Sequence, residues 1–101
     1  MIKHIVFFGL AVQAEGKTKA ENAAYIKTEL ENLKNLIPQI KNIEVGFNHH
    51  DADPNNYDVA LYSEFDTLDD VNIYQVHPEH KRVAAYIAKV RTSRAAIDYE
   101  I

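Results

Sequence analysis

Ile2–Gly9, with the sequence IKHIVFFG, is the stretch from which the fold is best inferred. β-Branched and aromatic residues dominate it, and such residues favour a β-strand. Because successive side chains of a strand point to opposite faces, His4, Val6 and Phe8 would share one face. Ile5 and Phe7 would lie on the other face, so both faces are mostly apolar. The strand is therefore predicted to be covered on both sides.

A first helix is predicted after this strand. Thr18 and Glu21 have the spacing of a capping box, in which each side chain binds a free amide at the helix start. Pro38 would end the helix, because proline lacks the amide hydrogen that a helix interior needs. Between these signals, apolar residues recur every three or four positions, as on one helix face: Ala23, Ile26, Leu30, Leu33 and Ile37.

Two strands, a second helix and a last strand are predicted in the rest of the chain. Residues 40–48 and 57–65 have strand patterns, and a turn-rich connector, HHDADPNN, separates them. Residues 66–67 offer a cap for the second helix, which Pro78 interrupts before the helical pattern resumes. Alternation over residues 97–101 predicts a final strand.

The order β-α-β-β-α-β predicts an α+β fold of the ferredoxin-like class, in one domain over residues 1–101. Its four-stranded antiparallel sheet would carry both helices on one face, packed on side chains such as Val45, Phe47 and Tyr62. The opposite face would be uncovered within one chain. A second subunit's sheet can cover it, which predicts a homodimer through sheet faces, a dimeric α/β barrel.

Composition excludes several classes of function. The net charge is −4, and the eleven Lys and Arg residues form no basic run, so no nucleic-acid partner is expected. No apolar run approaches the ~20 residues of a membrane span, so no membrane partner is expected. The apolar start, MIKHIVFFGL, is more typical of a strand than of a signal peptide. Since cysteine is absent, disulfides are excluded, and a cytoplasmic location is expected.

The stretch YQVHPEH, residues 74–80, places two histidines beside a helix breaker. His77 precedes a proline, which moves its backbone out of the helical region and puts it near an N-cap. His80 is expected to point towards the sheet, where a buried imidazole needs a hydrogen-bond partner such as Tyr74 or His4. It shares its spacing with the apolar stripe of the resumed helix: Val83, Ile87 and Val90.

Three roles for the histidines stay open on the residues alone. His80 can be a core histidine that fixes the helix to the sheet. It can also be a general base at the floor of a pocket, because the pKa of histidine lies near ambient pH. A metal site would need ligands such as His77, His4 or the His49-His50-Asp51 loop, but the spacing is weak and no metal is expected. The proposed pocket walls are aromatic: Phe7, Phe8, Tyr25 and Tyr86.

Several stretches resemble the stress-responsive A/B barrel domain (Dabb) family. They are KHIV at residues 3–6, NIEVGFN at 42–48, FDTLDDV at 65–71, the Y-x-x-H-P-x-H element at 74–80 and the closing DYE. The resemblance covers nearly the whole chain. It implies a ferredoxin-like fold and a homodimeric α/β barrel.

The resemblance also implies a candidate chemistry. Some plant members of the family are polyketide cyclases, which perform an intramolecular aldol condensation without a cofactor. In that branch the base, its phenol partner and the first-strand histidine correspond to His80, Tyr74 and His4. The chain lacks that branch's further pocket tyrosine, third-strand histidine and lysine, and has other residues there: Leu30, Val59 and Gly9.

We therefore expect a small homodimer whose pocket binds a small hydrophobic or aromatic molecule, with no cofactor. The pocket would be built on His80, Tyr74 and His4, with His77 beside them. One alternative is a cofactor-free cyclase-like or monooxygenase-like enzyme with His80 as general base. The other is a purely structural assembly unit.

Overall fold

The computed structural model describes residues 1–101 and contains six strands and three helices. Their bounds are β1 Ile2–Leu10, β2 Gln13–Ala14, β3 Lys17–Thr18, α1 Lys19–Leu36, β4 Asn42–Phe47, β5 Val59–Phe65, α2 Leu68–Val76, α3 Pro78–Val90 and β6 Arg91–Glu100. The small hairpin of β2 and β3 was not predicted from the sequence. The last strand is longer than predicted, because it begins directly after α3.

The main sheet has the strand order β4-β5-β1-β6, and all its neighbours are antiparallel. β1 is central and pairs with both β5 and β6. The helices cover one face of this sheet. The predicted ferredoxin-like α+β fold is therefore confirmed, with the second helix divided into α2 and α3.

Side chains at the helix ends satisfy free backbone groups, as predicted. Thr18 Oγ1 accepts from the Glu21 amide at 3.2 Å, and Glu21 Oε1 accepts from the Thr18 amide at 2.9 Å. His77 is the N-cap of α3, where its Nδ1 accepts from the Glu79 amide at 3.1 Å, and Pro78 takes the first helical position. None of the three helices combines the length and the apolar character needed to cross a membrane.

The core lies between the inner face of the sheet and the helices. Val6 and Leu61, which are register partners, and Leu33 of α1 are all buried there. Phe47 is on the same side but is 49% exposed at the end of its strand. Tyr62 does not face the helices as predicted, because it pairs with Glu44 one register position away from Val45 and so points outward.

The outer face of the sheet is not covered within the chain. Phe7 pairs with Ala95, and Ile5 pairs with Ile97, so all four side chains lie on that face. Ile97 is 55% exposed. An apolar sheet face of this kind is a candidate for contact with another protein surface.

Candidate functional site

A cavity of about 300 Å³ lies between the inner sheet face and the helices. This volume is at the lower end of the range for small-molecule sites. Six apolar residues from β1, α1, β5 and α3 line it: Val6, Phe8, Leu30, Leu61, Ala84 and Ile87. The polar lining comes from five residues: His4, Gln75, His80, Arg91 and Arg94.

His80 is half-buried on the wall of this cavity. The helix that restarts at Pro78 turns it inward, as predicted from its place on the apolar stripe. Its Nδ1 lies 3.0 Å from the carbonyl oxygen of Gln75, so Nδ1 carries the proton and donates it to that carbonyl. Its partner is thus a backbone carbonyl and not the side chain of Tyr74 or His4.

The environment of His80 favours its neutral form. Burial lowers the pKa of its imidazole, and the positive charge of Arg94 lowers it further, although the bond to the Gln75 carbonyl acts in the opposite direction. With Nδ1 bonded, a neutral ring leaves Nε2 as an unprotonated acceptor without a protein partner. The ring is therefore in the state that a hydrogen-bond acceptor or a general base requires.

Tyr74 packs directly against His80, with ring centroids 4.4 Å apart, and against His4, at 5.9 Å. It is 0% exposed and does not itself line the cavity. Its hydroxyl is the one fully buried side-chain polar atom with no hydrogen-bond partner. Burial raises the pKa of this phenol, so the hydroxyl stays protonated. An unpartnered buried donor is costly and is therefore informative about function.

His4 is buried in the middle of the sheet and is held by the last strand. Its Nδ1 hydrogen-bonds to the carboxylate of Asp98, which is its register partner on β6. Sequence reasoning missed Asp98 as a site residue. The alternation of side chains in the last strand could have identified it, because this alternation puts Asp98 on the face opposite Ile97.

The structure does not bring four other predicted pocket residues to the cavity. His77 is occupied as a helix cap. Phe7 lies on the outer sheet face, because it alternates with Phe8, and stacks on Tyr57 at 5.8 Å. Tyr25 and Tyr86 contact each other at 4.6 Å, at a separate site between α1 and α3. Of the four predicted walls, only Phe8 lines the cavity.

Two arginines that sequence reasoning did not single out do reach the cavity. Arg91 and Arg94 belong to the part of β6 that precedes the alternation at residues 97–101. Apolar alternation cannot reveal a strand start made of Arg, Thr and Ser, so the strand was predicted too short. Both arginines consequently looked like scattered surface charges.

The loop after β4 contains the one group of side chains with metal-ligand geometry. Ligand atoms of His49, His50 and Asp51 lie within 4.8 Å of one another, and all three residues are exposed. His49 Nδ1 already accepts the Asp51 amide at 3.0 Å. The group lies outside the cavity, and none of its members lines the wall beside His80.

Comparison with models of protein families shows to which family the chain belongs. The family model described as the stress responsive A/B barrel domain matches residues 2–101. This chain belongs to the Dabb family. The family that the sequence resembles is therefore confirmed, together with its fold.

Solved structures extend this assignment. A dimeric protein of unknown function and ferredoxin-like fold from Bacteroides fragilis is 39% identical, with a TM-score of 0.82 and coverage of 99% of this chain and 95% of that one. A dimeric ferredoxin-like protein from Thermobifida fusca is 30% identical, with a TM-score of 0.82 and coverage of 99% and 90%. Hydroxynitrile lyase from Passiflora edulis is 18% identical, with a TM-score of 0.79 and coverage of 99% and 92%, which shows a shared fold alone. No curated protein matches the sequence.

Proposed function

We propose that this Dabb domain is a homodimer that binds a small molecule in the cavity beside His80. The observation that carries the proposal is a neutral imidazole, with its tautomer fixed by the Gln75 carbonyl, on the wall of a cavity of about 300 Å³. Apolar pockets with a few fixed polar groups are typical of ligand sites. The apolar side chains of the wall suit a hydrophobic or aromatic ligand body.

The homodimer would form through the outer sheet face. Ile97 and Phe7 are exposed there, and the 39% identical protein from Bacteroides fragilis is described as dimeric. A sheet face that meets its own copy across a two-fold axis is covered on both partners at once. The cavity lies on the other side of the sheet, so each protomer would keep its own binding site.

A catalytic role is the second candidate, and the protonation state of His80 favours it. A cofactor-free enzyme of cyclase-like or monooxygenase-like type would use Nε2 to take an acidic C–H or O–H proton from the ligand. The developing oxyanion would need a donor. The orphaned hydroxyl of Tyr74 is the candidate, and the role requires this hydroxyl to reach the cavity from behind His80.

A purely structural role is less well supported. In that case the helix restart at Pro78 would serve only to pack His80 against the sheet. Close packing around the imidazole would then be expected, because core side chains fill their space at high density. The cavity next to His80 favours binding instead.

The proposal is tested by a thermal-shift screen of small aromatic and aliphatic compounds. Ala84 lines the cavity, so Ala84→Phe should fill it and abolish stabilisation by any compound that binds there. His80→Ala should weaken binding of compounds that hydrogen-bond to Nε2. His49→Ala, on the exposed loop, is the matched histidine control and should respond like the wild type. If compounds stabilise Ala84→Phe as strongly as the wild type, the cavity is not the binding site.

A further inference from the structure

Two of the three arginines in the chain, Arg91 and Arg94, stand on the wall of the cavity without a carboxylate partner. The third arginine, Arg82, shows the contrast. It donates to Glu79 and to Glu29, each at 2.9 Å, on the outer side of α3. Neither cavity arginine takes part in an ion pair or a side-chain hydrogen bond of the chain. Both arginines that line the cavity therefore have unpaired guanidinium groups.

An irregularity in β6 brings both guanidinium groups to the same side. Arg91 and Arg94 are three positions apart, and in a regular strand such residues point to opposite faces. The register of β6 against β1 shifts, so that Leu10 faces Arg91 while Phe8 faces Arg94. One extra residue is thus accommodated in β6, as in a β-bulge. Bulges often re-aim a side chain near a functional site.

Gly9 lies at the point where the register shifts. A Cβ atom at position 9 would collide with the side-chain oxygen of Ser93 and would lie 3.1 Å from Oγ1 of Thr92. Glycine has no Cβ, so the two strands can approach closely at the point where the register shifts. The placement of both arginines on one face follows from this register shift.

The charge on the cavity wall is positive, although the protein as a whole has a net charge of −4. No carboxylate lines the cavity. The nearest acid in the same face of β6 is Asp98, which is bonded to His4. Both guanidinium groups are solvent-exposed and have no anionic partner in the chain, so they are available to an anion that enters the cavity.

We propose that the cavity binds a small carboxylic acid, with its carboxylate held by Arg91 and Arg94 and its apolar body against Val6, Leu30 and Ile87. Guanidinium groups bind carboxylates through paired charge-assisted hydrogen bonds. A carboxylate offers two oxygens, one for each arginine. The inference rests on the proposed function, because it names the ligand class of the same cavity.

The test compares acids with their neutral amides by isothermal titration calorimetry. The probes are phenylacetate and octanoate, phenylacetamide and octanamide, and phenyl phosphate. We expect each acid to bind the wild type roughly tenfold tighter than its amide, because an amide lacks the charge that strengthens the hydrogen bonds. The double variant Arg91→Gln, Arg94→Gln should bind acid and amide equally. Arg82→Gln is the matched control and should keep the preference.

The outcomes separate this proposal from the proposed function. Equal binding of acid and amide to the wild type would overturn the carboxylate proposal and leave a neutral ligand in the cavity. Tighter binding of phenyl phosphate than of either acid would overturn the assignment to a carboxylate. Failure of all probes to bind would overturn it as well, while the broader thermal-shift screen still decides whether the cavity binds anything. Both arginines are exposed, so their variants should fold, and melting temperatures verify this.

Discussion

Replacement of Tyr74 by phenylalanine should make the protein more stable, against the usual trend for core substitutions. The Tyr74 hydroxyl is fully buried and has no partner. Leaving such a group unpaired costs about 1–3 kcal/mol of desolvation. Tyr74→Phe removes this cost and gives up a few dispersion contacts of one oxygen atom, at roughly 0.1–0.2 kcal/mol each. We therefore expect the free energy of unfolding to rise by about 1 kcal/mol.

Urea denaturation measures this change, because the midpoint shifts at a constant slope when only stability changes. The variants need equal protomer concentrations, since dimerisation contributes to apparent stability. Tyr86→Phe is the matched control. Its hydroxyl donates to Oδ1 of the buried Asn22, so its loss should destabilise the protein by about 1–3 kcal/mol. The two Tyr-to-Phe changes thus have opposite predicted signs.

The ligand adds a second readout. If the Tyr74 hydroxyl serves a bound molecule, Tyr74→Phe should stabilise the free protein and weaken binding at the same time, as expected for a strained functional site. A loss of stability in Tyr74→Phe similar to that in Tyr86→Phe would refute the reasoning. It would mean that the hydroxyl has a hydrogen-bond partner in solution.

Three further predictions concern His80, the dimer and the bulge. The folded-state pKa of His80 lies below its reference value of 6.5, so the wild type should lose stability as pH falls below 6.5. His80→Gln should reduce this loss, which urea denaturation above and below pH 6.5 measures. An equal loss of stability at low pH in His80→Gln would contradict the assignment of this loss to His80. Ile97→Lys should convert the dimer to a monomer in light scattering after size exclusion, and a persistent dimer would remove the sheet-face interface. Gly9→Ala should destabilise by about 0.5–1.5 kcal/mol and weaken acid binding, because the Ser93 side chain must turn away from the added methyl group; unchanged urea midpoints and acid affinity would argue against the bulge.

The sequence predicted the architecture because its periodic signals are strong and local. The stripe on α1 corresponds to buried residues, including Ile26 and Leu33, and the capping box of Thr18 forms as expected. The inward direction of His80 followed from the same helical spacing. These features depend on neighbours within a few positions, which a single sequence displays.

The site was predicted only in part, because its other features depend on pairing between distant segments. The partner of His80 is a backbone carbonyl, which no side-chain pattern can indicate. The arginines reach the cavity through a register shift between β1 and β6, and the sequence of β6 alone does not reveal it. Phe7 does not line the cavity as expected, because its alternation with Phe8 directs it to the outer face of the sheet.

Histidine NMR of His80 at neutral pH, in a titration with the compound that most stabilises the wild type in the thermal-shift screen, reports on the imidazole and on the cavity together. We expect a neutral ring with the proton on Nδ1, and an Nε2 resonance that shifts and saturates as the compound binds to the wild type but not to Ala84→Phe. A ring protonated on Nε2, or an Nε2 resonance that the compound leaves unchanged, would refute the binding site beside His80.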